Sequence, residues 1–400
     1  MLDKKQAIII KNIINKKFKI YVHQPVNNLV INFLDEFSRE LKRTKNVYKY
    51  SDLVYLINWC RKKKIENLKK TIFSNETRIG KGLIFHICPS NVPTNFIYSF
   101  FFGLLSGNSN IIKMPSLESD QKKIILKSIN KILNKKKFIK IKESNYFIEY
   151  DKNSEKEITD KISSVCDGRI IWGGDASINE IRKSTIPERS MDITFSDRYS
   201  ICIVNLNELS KVKKKEIKII ANKFYYDAYS MNQQGCNSPH FVFWIGKKNN
   251  KIQNIFWQCL DEIVEKKYKF EEIQIVDKYT KLLENIIISK NIKNINLKKN
   301  NIYILDFDKK NSEIENIRGI SGFFYQINLN NLDELKKYIS KKCQTATYYG
   351  YKKDEFKNFI LNNNLTGIDR FVPIGNALDI DVQWDGYDLI KTLSRVVSIV

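Results

Sequence analysis

From Leu83 to Ile112 the chain carries no Asp, Glu, Lys or Arg, although such residues make up 28% of its 400 positions. An uncharged stretch of that length has to lie away from water, and this limits what the rest of the chain can build around it. A membrane span is one possibility. Its continuous apolar part, "FIYSFFFGLL", is about half of what crosses a bilayer, and Asn91, Asn95, Asn108, Asn110 and two prolines surround it. The stretch reads instead as a buried strand "GLIFHI" (82–87), a loop, a buried helix "TNFIYSFFFGLLS" closed by Gly107, and a second strand "NIIKM" (110–114). No membrane span is expected.

The alternation continues downstream. Ser116 is the expected cap of the helix "LESDQKKIILKSINKILNKK", whose apolar residues recur at three and four. The strand "NYFIEY" (145–150), the helix "SEKEITDKISSV", the strand "RIIW" (169–172) and the helix "DASINEIRKS" follow. In the second half, the strand "YSICIVNL" (199–206) leads into the helix "KEIKIIANKFYYDAYSM", with Ile217, Ile220, Ala221, Phe224 and Ala228 on one face, and then the strand "HFVFWI". Residues 286–300 show little pattern. Strands alternating with helices of this length predict an α/β fold of two domains with parallel sheets, divided near residue 200. No G-x-G-x-x-G occurs, so an ordinary Rossmann fingerprint is excluded.

Composition removes several function classes. Seven cysteines at irregular spacings, without a C-x-x-C pair, fit neither a secreted disulfide framework nor a zinc site, and point to a reducing, cytoplasmic setting. The apolar run in "MLDKKQAIIIKNIINKKFK" is too short for a signal peptide. The net charge of +24 invites a nucleic-acid partner, but the lysines are spread through the whole chain and no nucleic-acid-binding motif accompanies them. No nucleic acid is expected; an acidic ligand such as a phosphorylated cofactor fits the charge equally well. The acidic tail Asp379, Asp381, Asp385 and Asp388 has the wrong spacing for a calcium loop, with Ile390 at the twelfth position, and no metal is expected.

Three strand ends carry Gly, Ser, Pro or Asn: "ICPSNVP" (87–93), "KMPS" (113–116) and "WGGD" (172–175). Ligands of α/β sheets bind at such ends, although each alone reads as a turn. Cys236 stands apart from the other cysteines. It follows a helix end, precedes a strand, and is flanked by Gln233, Gln234, Gly235, Asn237 and Ser238, a setting suited to a nucleophile. His240 is a candidate base, but Pro239 breaks any helix between the two, and a structural role at the strand start is the plainer reading.

Together these segments resemble the aldehyde dehydrogenase superfamily. "PSNVP" resembles its Pro-x-Asn-x-Pro segment, and "GNSNIIKMPS" its Gly-Asn-x-x-x-x-Lys-Pro-Ser strand with one residue inserted. "IIWGGDASINEIRK" sits at its Phe-Thr-Gly-Ser turn, and "QQGC" at its Gly-Gln-x-Cys nucleophile. "NQQGCNSPH" and "VPIGNALDIDVQWDGYDLI" further resemble the acyl-CoA reductases of bacterial bioluminescence operons, which make long-chain aldehydes.

The resemblance implies an NADPH-dependent reduction of a fatty acyl-CoA or acyl-protein thioester to the aldehyde. It implies Cys236 as nucleophile, Asn91 as an oxyanion donor, and Gln234 and His240 as further catalytic candidates. Lys113 and Ser116 would hold the adenosine ribose and a 2′-phosphate, and Gly173 and Gly174 would let the cofactor approach the backbone. The implied organisation is a helical segment over 1–75, a cofactor domain over 76–200 and a catalytic domain over 201–365. A segment over 366–400 would complete the site or return to the first domain. An acyl-protein ligase partner and a homo-oligomer are implied as well. Two departures matter. "MDITFSDRYS" has no glutamate where the superfamily keeps its general base, with Thr194 or a neighbour in its place, and "RGISGFF" replaces its Glu-x-Phe-Gly-Pro grip on the nicotinamide ribose. Loss of the base favours reduction over hydrolysis. An acyltransferase, an NAD-dependent CoA-acylating aldehyde dehydrogenase of shorter substrates, and a basic non-catalytic binding module are the alternatives.

Overall fold

The computed structural model describes residues 19–72, 76–89, 92–151, 156–288, 292–308 and 313–399. The chain divides into two compact units, one running to Asp197 and resuming at Ile380, the other spanning Arg198–Asp379. The strands of the first are β1 (Arg78–Gly80), β2 (Leu83–Ile87), β3 (Ser109–Lys113), β4 (Asn145–Ile148), β5 (Gly168–Trp172) and β6 (Asp192–Phe195). Five of them form a parallel sheet in the order β4-β3-β2-β5-β6. Every residue of β2 and β3 is buried, as in a central strand of a parallel sheet covered on both faces. The helix Asn95–Leu105 that joins them is buried along almost its whole length.

The polar residues of the uncharged stretch are what make its burial possible. Asn110 Nδ2 donates to Asn108 O (2.9 Å) and Asn145 Oδ1 (2.7 Å), which leaves its Oδ1 to accept from His86 Nε2 (2.9 Å). His86 Nδ1 then accepts from Ser99 Oγ (2.8 Å), whose oxygen takes the Trp172 indole N–H (3.0 Å). Asn108 closes the far end, donating to Leu393 O and accepting from Gly82 N. A side chain at Gly103 would strike Asn110 Oδ1 at 1.9 Å, so this glycine sets how closely helix and strand approach. Asn108, Asn110, His86 and Ser99 all find partners, which makes an apolar core with a defined register.

Around this sheet pack the helices Asn28–Arg43 and Asp120–Leu133, Phe33 meeting Phe100 and Phe138 edge to face. The second of these helices is capped by Ser119, whose Oγ accepts from Lys122 N (3.1 Å), and not by Ser116 as expected. Ser119 has the extended backbone that a cap needs, whereas Ser116 sits earlier, exposed on the loop. Lys122 is buried and gathers that loop, donating to Pro115 O, Glu118 and Glu149. The chain's end returns here: β14 (Gln383–Trp384) and β15 (Tyr387–Asp388) make a hairpin through Asp385 and Gly386, both at positive φ, and β16 (Ser394–Val396) pairs antiparallel with β1. Arg78 fixes that return with bonds to Ser394 and Lys391 O.

The second unit is a sheet in the order β13-β12-β7-β8-β11-β10-β9. Its members are β7 (Tyr199–Asn205), β8 (Pro239–Ile245), β9 (Ile292–Lys298), β10 (Ile302–Phe307), β11 (Phe323–Leu329), β12 (Cys343–Tyr349) and β13 (Arg370–Pro373). All pairs are parallel except β9 with β10. The helices Lys214–Tyr229 and Asn250–Lys267 pack together on one face, over Trp244, Phe256, Trp257 and Phe324. Both indoles donate to one acceptor, Gln326 Oε1, at 2.8 Å each. The patternless residues 286–300 hold the end of a helix, Glu272–Ile288, and the edge strand β9. Strand β9 is largely exposed on both faces, so burial imposed no alternation on its sequence. Among the described residues, no helix is long and apolar enough to cross a membrane.

Burial pushes the His86 imidazole down to about 4 from an ordinary 6.5. A folded value below the unfolded one means that this group's contribution to stability is complete above pH 6.5 and is lost as pH falls towards 4. Nitrogen-15 NMR of the ring should show the neutral Nε2–H tautomer from pH 8 to pH 5. A titration midpoint near 6.5 would contradict the buried network.

Candidate active site

Between the helix Lys214–Tyr229 and β8, the chain turns through Asn232 and Gln233, both with left-handed backbone (φ 53° and 60°). Such strained residues persist only where the surroundings hold them. Here the holder is the Gln233 side chain. Its Nε2 donates to Pro239 O and Phe323 O (3.0 Å each), and its Oε1 accepts from Gly322 N and Phe323 N (3.0 and 3.1 Å). Four bonds saturate this fully buried amide.

The rest of the loop is tied down at its other end. Ser200 Oγ, on β7, donates to Cys236 O (2.7 Å) and accepts from Thr345 N on β12 (3.1 Å). Asn237 Nδ2 donates to Ala377 O (2.7 Å). Asp227 in turn holds that segment, accepting from Gly375 N (2.6 Å) and Ala377 N (2.9 Å), and burial pushes its carboxyl up to about 7. Cys236 is therefore fixed at the N-terminal edge of the sheet, beside the first residues of β7, β8 and β12. It is half-buried, whereas Cys60, Cys88, Cys166, Cys202, Cys259 and Cys343 are buried. Burial pushes the thiols of Cys88, Cys166, Cys202 and Cys343 up to about 12, which keeps them inert. Gln344 Nε2 lies 3.4 Å from Cys236 Sγ as a donor.

The other expected participants fall differently. His240 is buried on β8, and its Nδ1 accepts from Gly319 N (3.1 Å); burial, with the Arg318 charge, drives it down to about 3. With Nδ1 engaged and the proton on Nε2, neither nitrogen is free to act as a base, so His240 is structural. Gln234 is exposed; the amide that the loop uses is its neighbour Gln233. Asn91 lies outside the described residues. Thr194 sits half-buried on β6.

In the first unit, the chain moves from β2 to β3 and β4 on one side and to β5 and β6 on the other. The C-terminal ends of β2 and β5 therefore flank a topological switch point, where open α/β sheets bind ligands. Lys113 ends β3 and is nearly buried, its ammonium 5.5 Å from the Tyr150 ring centre; Ser116 follows on the surface. Gly173 and Gly174 follow β5, Gly174 at the N-terminus of the helix Asp175–Arg182. Neither glycine has a positive φ, and the protein does not crowd them. A Cβ on Gly173 would make only ordinary contact with Ser177, and one on Gly174 would meet nothing within 4 Å. The space those side chains would fill, over a helix N-terminus, is suited to a cofactor's phosphates. The residues present fit a nicotinamide dinucleotide.

A sequence profile of the family described as acyl-CoA reductase (LuxC) matches residues 39–396. The chain belongs to this family. No curated protein sequence matches it. The fold of this LuxC-family reductase is that of the aldehyde dehydrogenases. It resembles the salicylaldehyde dehydrogenase of Pseudomonas putida G7 solved with salicylaldehyde, at 11% identity over 98% of this chain and 87% of that one, with a TM-score of 0.63. Substrate-bound Staphylococcus aureus AldH is similar at 12% identity over 98% and 92% of the two chains (TM-score 0.58). Proline utilization A from Corynebacterium freiburgense has a TM-score of 0.68 at 11% identity, this chain covering 44% of that one. The chain thus spans less than half the length of the proline utilization A proteins it matches. At such identities the likeness is one of fold.

Sequence reasoning missed Gln344 and Ser200, both distant in the chain from Cys236, and Asp227, whose partners lie in the 375–377 segment; it singled out Gln234, whereas the side chain that holds the loop is that of Gln233. The sequence carries no signal that separates the pair, because the left-handed backbone that calls for a holding side chain is seen only in the fold. Gln233→Leu removes these four buried hydrogen bonds, although Phe323 N keeps a bond to Ile320 O. It should lower the free energy of urea unfolding by at least about 3 kcal/mol. A change under about 1 kcal/mol would remove Gln233 from this role.

Proposed function

We propose that this reductase converts a fatty acyl thioester, carried on CoA or on a protein, to the fatty aldehyde with NADPH, through an acyl thioester on Cys236. One observation carries the reading: of the seven cysteines, only Cys236 is not buried, and the structure spends four side chains, Gln233, Ser200, Asn237 and Asp227, on holding its loop.

In this reading Cys236 Sγ, as thiolate, attacks the acyl carbonyl carbon. The tetrahedral oxyanion then collapses, the bond to the donor's sulfur breaks, and the donor leaves as a thiol after taking up a proton. The resemblance assigns the Asn91 amide and the Cys236 backbone N–H to that oxyanion; a donor of this kind is worth about 3–4 kcal/mol. When bound, the reduced nicotinamide supplies a hydride equivalent, which takes the acyl group to the aldehyde level. Lys113 and Ser116 hold the adenosine ribose and 2′-phosphate, and Gly173 and Gly174 leave room for the pyrophosphate beside the helix N-terminus. The sequence around Thr194 has no glutamate where the superfamily keeps its water-activating base, so the acyl group waits for reduction. Delivery by an acyl-protein ligase and assembly of several copies belong to the same reading.

Incubation with radiolabelled acyl-CoA should give about one hydroxylamine-labile label per chain, absent in Cys236→Ala and discharged as aldehyde on adding NADPH. A label that NADPH cannot discharge would leave an acyltransferase; no label at all would remove Cys236 as the nucleophile.

A further inference from the structure

Strand β7 is paired irregularly on both sides at one residue, Ser200. Against β12, Tyr199 pairs with Cys343 and Ile201 with Ala346, so Gln344 and Thr345 together oppose Ser200. Against β8, Ser200 pairs with Pro239 and Ile201 with Phe241, so His240 is the extra residue. Bulges of this sort re-aim side chains beside functional sites. The one on β12 brings the Gln344 side chain to the nucleophile. Gln344 is 1% exposed, and its Nε2 donates to Cys236 Sγ at 3.4 Å across 108 residues of chain. Its Oε1 is turned towards the Thr345 hydroxyl (3.5 Å), and Thr345 N bonds the same Ser200 hydroxyl that holds Cys236 O. The amide is thus oriented nitrogen towards sulfur by the framework that fixes the cysteine backbone.

We infer that Gln344 is a catalytic residue of the acyl-transfer and release steps, its buried amide N–H stabilising the Cys236 thiolate. This rests on the reading of Cys236 as nucleophile. A thiolate buried to this extent is costly without a donor, and an amide donor favours the charged form over the thiol. The same N–H serves twice. It lowers the cost of the free thiolate before the attack. When the hemithioacetal oxyanion re-forms its C=O bond and the C–S electron pair returns to sulfur, it also stabilises Cys236 as the leaving group. Glutamine suits both tasks because, unlike glutamate, it is neutral: it donates to sulfur without repelling it and cannot act as a base towards water on the acyl-enzyme.

The test is the pH profile of iodoacetamide alkylation in the full-length wild type, Gln344→Met and Gln344→Glu, with Cys236→Ser as the background. Removal of the donor in Gln344→Met should raise the alkylation midpoint by about one pH unit, a tenfold loss of thiolate at neutral pH, and the carboxylate in Gln344→Glu should raise it further. The plateau rate at high pH should be unchanged in all three. Acylation by radiolabelled acyl-CoA should slow about tenfold in Gln344→Met at pH 7, with NADPH binding unaltered. Coincident midpoints would overturn the inference. So would a fall in alkylation at every pH without a shift in midpoint, since that marks a merely structural residue. If the midpoints move as expected but wild-type protein takes no acyl label, the nucleophile reading fails while the grip of Gln344 on the thiolate stands.

Discussion

The site depends on one hydroxyl. Ser200 Oγ bridges the Cys236 carbonyl and the Thr345 amide, and it stands where β7 loses register with both neighbours. In a regular parallel sheet the backbone groups at this level would pair with one another. The two bulges release them, and the serine takes over the pairing. The outcome is that a loop residue, a strand residue and a buried amide from three separate parts of the chain share one small frame. Rigidity at the thiol follows from strands and side-chain bonds and does not rely on the loop itself.

The same economy governs the first unit. Burying a long uncharged stretch leaves its asparagines, serine and histidine to be satisfied inside, and they are satisfied by one another: Asn110, His86, Ser99 and Trp172 form a chain running from β3 across β2 to β5. This chain passes beneath the topological switch point of the sheet. Its donors and acceptors are assigned without ambiguity, because the Asn110 amide is already committed to Asn108 and Asn145. A one-residue slip of either strand would orphan several of these groups at once, so the network specifies the register that places Lys113 and Gly173 at the strand ends.

Much of this was legible beforehand, for physical reasons that can be named. Strands β2, β3, β5, β7 and β8 are buried on both faces, and burial writes itself into sequence as short apolar runs such as residues 111–112 and 170–172. The Cys236 turn was visible because small polar residues cluster where a helix stops. What was not legible has the opposite character. Strand β9 lies on an exposed edge, where no pattern is demanded. Ser116 and Ser119 are both chemically able to cap, and only the backbone angles choose between them. Gln344 offers no local signal, since its meaning comes from a bulge and from a partner far away in the chain. Sequence reading finds what local burial dictates and misses contacts made by tertiary register.

That distinction bears on the chemistry. The side chains that hold the Cys236 loop are amides and a hydroxyl, Gln233, Asn237 and Ser200, with Gln344 on the sulfur itself. The carboxylate included in the scaffold, Asp227, accepts from Gly375 N and Ala377 N and is buried, which ties it to the 375–377 segment. In the proposed chemistry the Gln344 amide is the donor that reaches the sulfur, while the scaffold's other donors and its carboxylate are committed to backbone groups. Donors without a free base speed thiolate attack and expulsion but give water no help. Under the proposed function, the missing glutamate around Thr194 and the amide on the Cys236 sulfur act in the same direction, both favouring an intermediate that persists until hydride reaches it.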